Sequence, residues 1–137
     1  MAGRHRARRQ AIEICYQADL LGEDPMEVLE TWGEAGRKVA PFARELVAGV
    51  AEHRQELDRL IEAHSEGWSI ARMPSVDRTI LRVACYELRY RPDVPPAVAI
   101  DEAVQAAKEL STGDSGRFVN GVLGAIVRAG DAGPRSP

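Results

Sequence analysis

The sequence predicts a single, all-α-helical domain. Apolar residues recur at intervals of three and four positions, and no stretch alternates apolar and polar residues for long enough to indicate a strand. Clusters of Pro and Gly divide the chain into segments of helical length, and no low-complexity stretch separates two domains. The chain has 137 residues, of which 45% are hydrophobic and 28% charged. This length and composition are typical of one globular domain with its own core.

The first two helices are predicted from periodicity and from residues that begin or end a helix. An apolar face runs along the first helix, and Gly22 ends it. Asp24 has a side chain suited to accept from free backbone N–H groups, and Pro25 suits the first position of the second helix. The residues that share the apolar face of the first helix are Ala7, Ala11, Ile14 and Ala18.

The middle of the chain predicts two further helices separated by a break. A long helix is expected over residues 40–64, with Pro41 at its start. The segment SEGWSIARMP interrupts the apolar pattern and is expected to hold a short helical turn. Ser75 would cap the helix that follows. The segment RPDVPP ends that helix, because proline cannot continue a helix interior.

Two helices are predicted in the last third of the chain. The first of them ends near Ser111, and Gly113 in the turn STGDSG suits a left-handed cap after it. The final helix is expected to begin at Asp114 or Ser115. The segment GDAGPRSP that follows is expected to be unstructured.

Positive charge is concentrated at the N-terminus of a chain whose net charge is −3. Four arginines precede the first acidic residue, Glu13, and Tyr16 lies two helical turns beyond the last of them. Guanidinium groups neutralise phosphates and an aromatic ring stacks on an unpaired base, so this pattern favours single-stranded RNA. The alternative, solvated arginines with Tyr16 in the core, stays open. The four arginines are Arg4, Arg6, Arg8 and Arg9.

The sequence gives little support to other classes of function. No apolar run reaches the roughly 20 residues of a membrane helix, and no apolar segment of a secretory signal follows the basic start. Cys15 and Cys85 lie among apolar residues, which predicts buried, reduced thiols and a cytoplasmic protein. The histidines lack metal-ligand spacing and no catalytic constellation is present, so we expect no metal, no cofactor and no enzyme.

The segment DSGRFVNGVLGAI carries a second candidate surface. Phe118, exposed beside Arg117 at the start of the last helix, would provide another stacking platform. Gly121 and Gly124 are unfavourable in a helix interior, and they suit the close approach of another helix or of a partner chain.

Three long blocks of the sequence resemble the NusB family of bacterial transcription antitermination factors. They are RARRQAIEICYQADL, RMPSVDRTILRVACYEL and DVPPAVAIDEAVQAAKELSTGDSGRFVNGVLGAI, and the resemblance extends over about residues 4–127. It implies an all-α fold of about seven helices in two packed helical subdomains. It further implies a helical RNA-binding domain over residues 1–130, and the remaining residues, 131–137, are the tail that the composition predicts to be disordered.

The resemblance also implies a function and a set of contact residues. Such a protein would bind the boxA element of nascent ribosomal operon RNA together with NusE, a ribosomal small-subunit protein. It would act as a non-catalytic adaptor in the antitermination complex on RNA polymerase. The implied RNA-binding residues are Arg4, Arg6, Arg8, Arg9, Tyr16, Asp114, Arg117 and Phe118; the implied partner-binding residues are Val76, Asp77 and Arg78. The alternative is a helical interaction module or homodimer that does not bind RNA directly.

Overall fold

A computed structural model describes residues 2–132 of the chain. Within these residues it contains only helices and the segments that join them, which confirms the predicted all-α class. The α-helices are α1 (Ala2–Leu21), α2 (Pro25–Glu34), α3 (Pro41–Ala63), α4 (Ser75–Tyr90), α5 (Pro96–Leu110) and α6 (Gly113–Arg128). A short 3₁₀ helix, Ile70–Arg72, occupies the break before α4. The backbone of α3 leaves helical values at His53 (φ −107°, ψ 16°), so α3 consists of two helical segments joined at a kink.

Local sequence signals place the start of α2 correctly. Gly22 has φ +68°, in the left-handed region that suits glycine, and it directly follows α1. The Asp24 carboxylate accepts a hydrogen bond from the Met26 N–H at 2.8 Å, and Pro25 is the first residue of α2. These features confirm the predicted end of the first helix and the predicted cap of the second.

Two predicted caps are wrong. Ser75 lies inside the first turn of α4, and its hydroxyl donates to the carboxylate of Asp19 on α1 instead of capping its own helix. Gly113 does not end α5 but begins α6, where Thr112 is the N-cap and accepts from the Ser115 N–H at 3.1 Å. The Ser75 hydroxyl finds its partner on another helix, whereas the Thr112 hydroxyl forms a local N-cap that was not predicted.

The helices pack around α4. This helix contacts α1 and α3 on one side and α5 and α6 on the other, so the two groups of helices share one continuous cluster of buried apolar side chains. The predicted apolar face of α1 is buried in that cluster. Cys15 and Cys85 are free thiols within it. Burial raises the pKa of Cys15 to about 12 and raises that of Cys85 as well, so both thiols stay protonated.

A buried ionic network joins α1, α3 and α4. Asp19 of α1 accepts hydrogen bonds from Arg78 at 2.9 Å and from Arg82 at 3.1 Å. Arg82 is also held by Asp58 of α3, with its Nε 2.7 Å from the carboxylate. Burial acts to raise the pKa of Asp19, but the hydrogen bonds from Ser75 and the two arginines outweigh it, and the pKa is lowered. The network fixes the relative positions of the three helices.

The C-terminal end of α6 is joined to the rest of the fold at Asp131. The side chain of Asp131 lies 2.9 Å from His64 Nε2, and its carbonyl oxygen accepts from Arg89 at 2.9 Å. The predicted tail starts at this residue; residues 133–137 of that tail lie outside the described part of the chain. None of the helices in residues 2–132 is both long and apolar enough to cross a membrane.

Candidate nucleic-acid interface

Arg8 departs from the predicted surface of four arginines. Its exposed fraction is 6%, and its Nε and Nη2 donate to both carboxylate oxygens of Glu87 at 2.8–3.0 Å. Burial acts to lower the pKa of Arg8, but its bonds and charge interaction with Glu87 outweigh burial and raise it. Arg8 is therefore a buried cation that attaches α1 to α4. The sequence leads us to expect that Arg8 is exposed to RNA; in the structure its side chain is buried against Glu87 and is not accessible.

The other three arginines remain accessible to different degrees. Arg6 is exposed, and no ion pair within residues 2–132 involves it. Arg4 is half-exposed, donates to Asp93 at 3.2 Å, and lies 4.4 Å from the centroid of the Phe42 ring. Arg9 donates through Nη1 and Nη2 to Glu109 at 3.3 and 3.0 Å. Of these three arginines, Arg6 has no ion pair within residues 2–132, while Arg4 and Arg9 are paired.

Three carboxylates face the basic start of α1, and we call them the carboxylate row: Asp93, Glu102 and Glu109. Asp93 precedes α5, while Glu102 and Glu109 lie two turns apart on one side of α5. Glu102 lies 2.9 Å from His5 Nδ1 and 3.6 Å from Arg8 Nη1. The row neutralises part of the charge that the sequence concentrates at the N-terminus.

Tyr16 lines a groove between α1, α4 and α5. The groove has a volume of about 260 Å³. Tyr16 is half-buried, so it lies neither in the core nor fully in solvent. Val76, predicted as a partner contact, lies in the same groove, as do Arg9 and Leu110. The charged residues of this groove are Arg9 and Glu13; its apolar part is suited to a planar base, and Arg9 is suited to the phosphate attached to it.

Phe118 lies at a second groove, together with an aromatic residue absent from the predicted site. Its ring meets the edge of Trp68 at a centroid distance of 6.4 Å and an interplanar angle of 67°. Trp68 is 52% exposed, and it lies in SEGWSIARMP, where no apolar periodicity requires a buried side chain. An aromatic residue in such a break is the sequence signal that would have identified it. The groove has a volume of about 230 Å³ and also includes Met73, Pro74, Asp77, Asp114 and Ser115.

The three predicted partner residues fall into three different settings. Val76 is half-buried in the Tyr16 groove. Arg78 is occupied internally, since its guanidinium binds Asp19 and reaches the Ile70 carbonyl at 3.3 Å. Asp77 is only 4% exposed; its Oδ2 accepts from Ser115 at 3.1 Å, while its Oδ1 has no hydrogen-bond partner among residues 2–132. Asp77 thus has one buried carboxylate oxygen without a partner in the described residues, and its side chain lines the Phe118 groove.

Asp114 and Arg117 lie at the surface beside Phe118. Both side chains are strongly exposed, and they form an ion pair with each other within the first turns of α6. Arg117 and Phe118 also border a third groove, of about 380 Å³, which continues towards Gly121 and Arg128. A Cβ at Gly121 would meet no atom within 4 Å beyond the nearby backbone of its own helix, so the close approach of another described helix does not explain this glycine.

The comparisons with known proteins agree with this geometry. The model of the NusB family matches residues 5–128. The chain belongs to the NusB family. The transcription antitermination protein NusB of Saccharopolyspora erythraea is 52% identical over 136 residues, covering 96% of this chain and 90% of the relative. NusB of Acidothermus cellulolyticus is 49% identical, covering 96% and 91%.

Solved structures share the same NusB fold. A crystal structure of the antitermination factors NusB and NusE in complex with dsRNA superposes with a TM-score of 0.83 at 34% identity, covering 94% of this chain and 98% of the other. A NusB structure from T. maritima gives a TM-score of 0.83 at 36% identity, covering 91% and 90%. NusB chains that are identical to this one at only about a third of their residues thus keep the same arrangement of helices.

Proposed function

We propose that this NusB-family chain is a non-catalytic, RNA-binding adaptor in transcription antitermination. It would act in the cytoplasm and bind the boxA element of nascent ribosomal operon RNA together with its protein partner NusE. The resulting complex would act on RNA polymerase. Two curated relatives carry the name transcription antitermination protein, and a structural neighbour was solved with NusE and dsRNA. The observation that carries the proposal is the accessible basic start of α1 beside the Tyr16 groove.

The RNA contacts follow from the accessibility of each side chain. Arg4, Arg6 and Arg9 would bind phosphates, which position the strand without reading its sequence. Tyr16 would stack on an unpaired base in its groove, and Phe118 would stack on one in the third groove, which it borders together with Arg117. Arg8 supports the site indirectly, because its buried pair with Glu87 holds α1 in place. Asp114 and Arg117, which pair with each other, would lie at the edge of the RNA surface.

The protein contact is proposed at the groove formed by Trp68, Asp77 and Phe118. An exposed Trp edge beside a half-buried Phe is the kind of aromatic anchor found at the centre of protein interfaces. The Oδ1 of Asp77 is buried and lacks a partner in the described residues; if the side chains of the groove shift, it would accept a hydrogen bond from an N–H or O–H group of NusE. Val76 contributes an apolar wall in the neighbouring groove, and Arg78 shapes the start of α4 from within.

A titration with labelled RNA tests the proposal. We expect a boxA-type single strand to bind more tightly in the presence of NusE, and Arg6→Ala with Arg9→Ala to weaken binding. The slope of log affinity against log salt should become shallower by about 1.4, since each of the two lost phosphate contacts on a single strand contributes about 0.7. Arg44→Ala with Arg59→Ala is the matched control, because both are exposed arginines of α3 without an ion pair in residues 2–132.

Two outcomes would contradict the proposal. If the wild type and the Arg6, Arg9 double variant bind RNA with equal affinity, the basic start of α1 is not part of the RNA site. Tighter binding of a hairpin duplex than of the single strand would exclude base stacking as the main contact, and the dsRNA in the neighbouring complex makes this comparison necessary.

A second candidate is an interaction module or homodimer without direct RNA binding. The observation that favours it is the exposure of several large apolar side chains, among them Leu20 and Leu21 at the end of α1 and Leu110 at the end of α5. Light scattering across a range of protein concentrations distinguishes the candidates. A mass that doubles, together with loss of RNA binding in the dimer, would support the second one.

A further inference from the structure

Arg9 is already engaged by a carboxylate of its own chain. Its two terminal nitrogens donate to the two oxygens of Glu109 at 3.3 and 3.0 Å. This parallel, two-bond arrangement is the one that a guanidinium also forms with a phosphate. A phosphate of RNA and the carboxylate of Glu109 would therefore use the same two nitrogens of Arg9.

The pair differs from its neighbours in how readily it can open. The Glu109 side chain is 59% exposed and that of Arg9 22%, so the freed carboxylate would return to water at little cost. The Arg8–Glu87 pair has almost no exposure and stays closed. Asp93 is held by Arg91 at two distances of 3.0 Å in addition to Arg4, so it is bound more firmly than Glu109.

We propose that Glu109 is an intramolecular competitor of RNA, which occupies Arg9 until a phosphate displaces it. The inference rests on the proposed RNA contact of Arg9. The displaced group is a carboxylate and the incoming group a backbone phosphate, so the competition carries no information about base sequence. Glu109 thus lowers the affinity for every RNA strand and limits binding to strands that also gain from stacking.

The substitution Glu109→Gln isolates this competition. Gln keeps the length of the side chain but cannot form a charged pair, and at an exposed position it should leave the fold intact. We expect RNA binding to become about two- to fivefold tighter, the range set by an exposed ion pair. The gain should be equal for a boxA-type strand and for an unrelated single strand of the same length.

Two further variants separate competition from net charge. Glu30→Gln removes one negative charge from an exposed residue of α2 that forms no ion pair within residues 2–132. It should change affinity by much less than Glu109→Gln. In an Arg9→Ala background the gain from Glu109→Gln should disappear, because the contested cation is absent. Thermal unfolding of each variant verifies the fold.

Each result supports or overturns the inference. If Arg9→Ala weakens binding while Glu109→Gln brings no gain, the inference is wrong and the proposed function stands. If the gain equals that of Glu30→Gln, or persists without Arg9, net charge accounts for it and the inference is again wrong. If Arg9→Ala leaves affinity unchanged, the proposed RNA contact of Arg9 fails, and the inference fails with it.

Discussion

Arg8 of α1 and Glu87 of α4 form a buried ion pair, joined by three hydrogen bonds of 2.8–3.0 Å. Burial acts to raise the pKa of Glu87 and Arg8 acts to lower it, with a raised pKa as the result. Each charge offsets part of the free-energy cost of burying the other. The pair therefore gives an arginine within the basic start of α1 a structural role.

The first prediction concerns this pair. Arg8→Ala leaves the Glu87 carboxylate buried without a cation, and we expect the free energy of unfolding to fall by roughly 3–5 kcal/mol. Urea denaturation measures the loss. Arg6→Ala, at an exposed position of the same helix, should change stability by less than about 0.5 kcal/mol. A double variant, Arg8→Met with Glu87→Leu, should be more stable than Arg8→Ala; equal instability would contradict the ionic explanation.

The second prediction concerns acid stability and Asp19. Its pKa is lowered in the folded protein, so its ionised form contributes stability above the unfolded pKa of about 3.9. That contribution is lost as the pH falls through about 4 towards the lower folded pKa. Urea denaturation between pH 3 and pH 7 should show this decline in the wild type and a shallower one in Asp19→Asn. Asp101→Asn, at an exposed position of α5, should decline like the wild type.

The third prediction concerns the unpaired oxygen of Asp77. Asp77→Asn replaces one acceptor by an NH₂ donor, and we expect weaker NusE binding, by about 1–3 kcal/mol, with RNA binding of the isolated chain unchanged. Calorimetry with NusE measures the loss. Thr79→Val is the control, because the Thr79 hydroxyl is the other buried side-chain group without a partner in the described residues. Its replacement should leave NusE binding intact; a similar loss in both variants would exclude a direct contact by Asp77.

The fourth prediction concerns stacking at Tyr16. Tyr16→Ala should weaken binding of a single strand by about 1–3 kcal/mol, the usual contribution of one stacked base. Tyr16→Phe keeps the ring in the groove and should bind like the wild type. Fluorescence anisotropy with a labelled strand measures both. If Phe is as damaging as Ala, the hydroxyl rather than the ring face makes the contact.

The fifth prediction concerns the packing of α3 on α4. A Cβ added at Gly49 would lie 2.1 Å from Tyr86 Cε1, so Gly49→Ala forces the ring to move. We expect a loss of about 1–3 kcal/mol in the free energy of unfolding. Gly33→Ala in α2 meets no atom within 4 Å and should stabilise the helix by up to about 1 kcal/mol. Opposite shifts of the melting temperature are the expected result.

Much of the fold is a local property of the sequence. The apolar period places the helices, Gly22 and Asp24 mark a helix end and the next start, and the buried face of α1 follows from its spacing. These signals depend on residues within one or two helical turns of each other. For the same reason they fail at Ser75, whose hydroxyl donates to Asp19 on another helix. At Gly113 the signal is local, and it lies in Thr112, which caps α6 through the Ser115 N–H.

The sequence by itself determined the helical class, the basic start of α1 and the rings of Tyr16 and Phe118 as candidates for contact. Only the tertiary structure decided which arginines remain accessible, because their carboxylate partners lie far along the chain, on α4 and α5. Arg8 meets Glu87 across 79 positions and Arg9 meets Glu109 across 100. The energy of a charge depends on what surrounds it in space. Two neighbouring arginines therefore differ in setting: Arg8 is buried in the fold, and Arg9 is paired with Glu109 at the surface, where we propose that RNA competes for it.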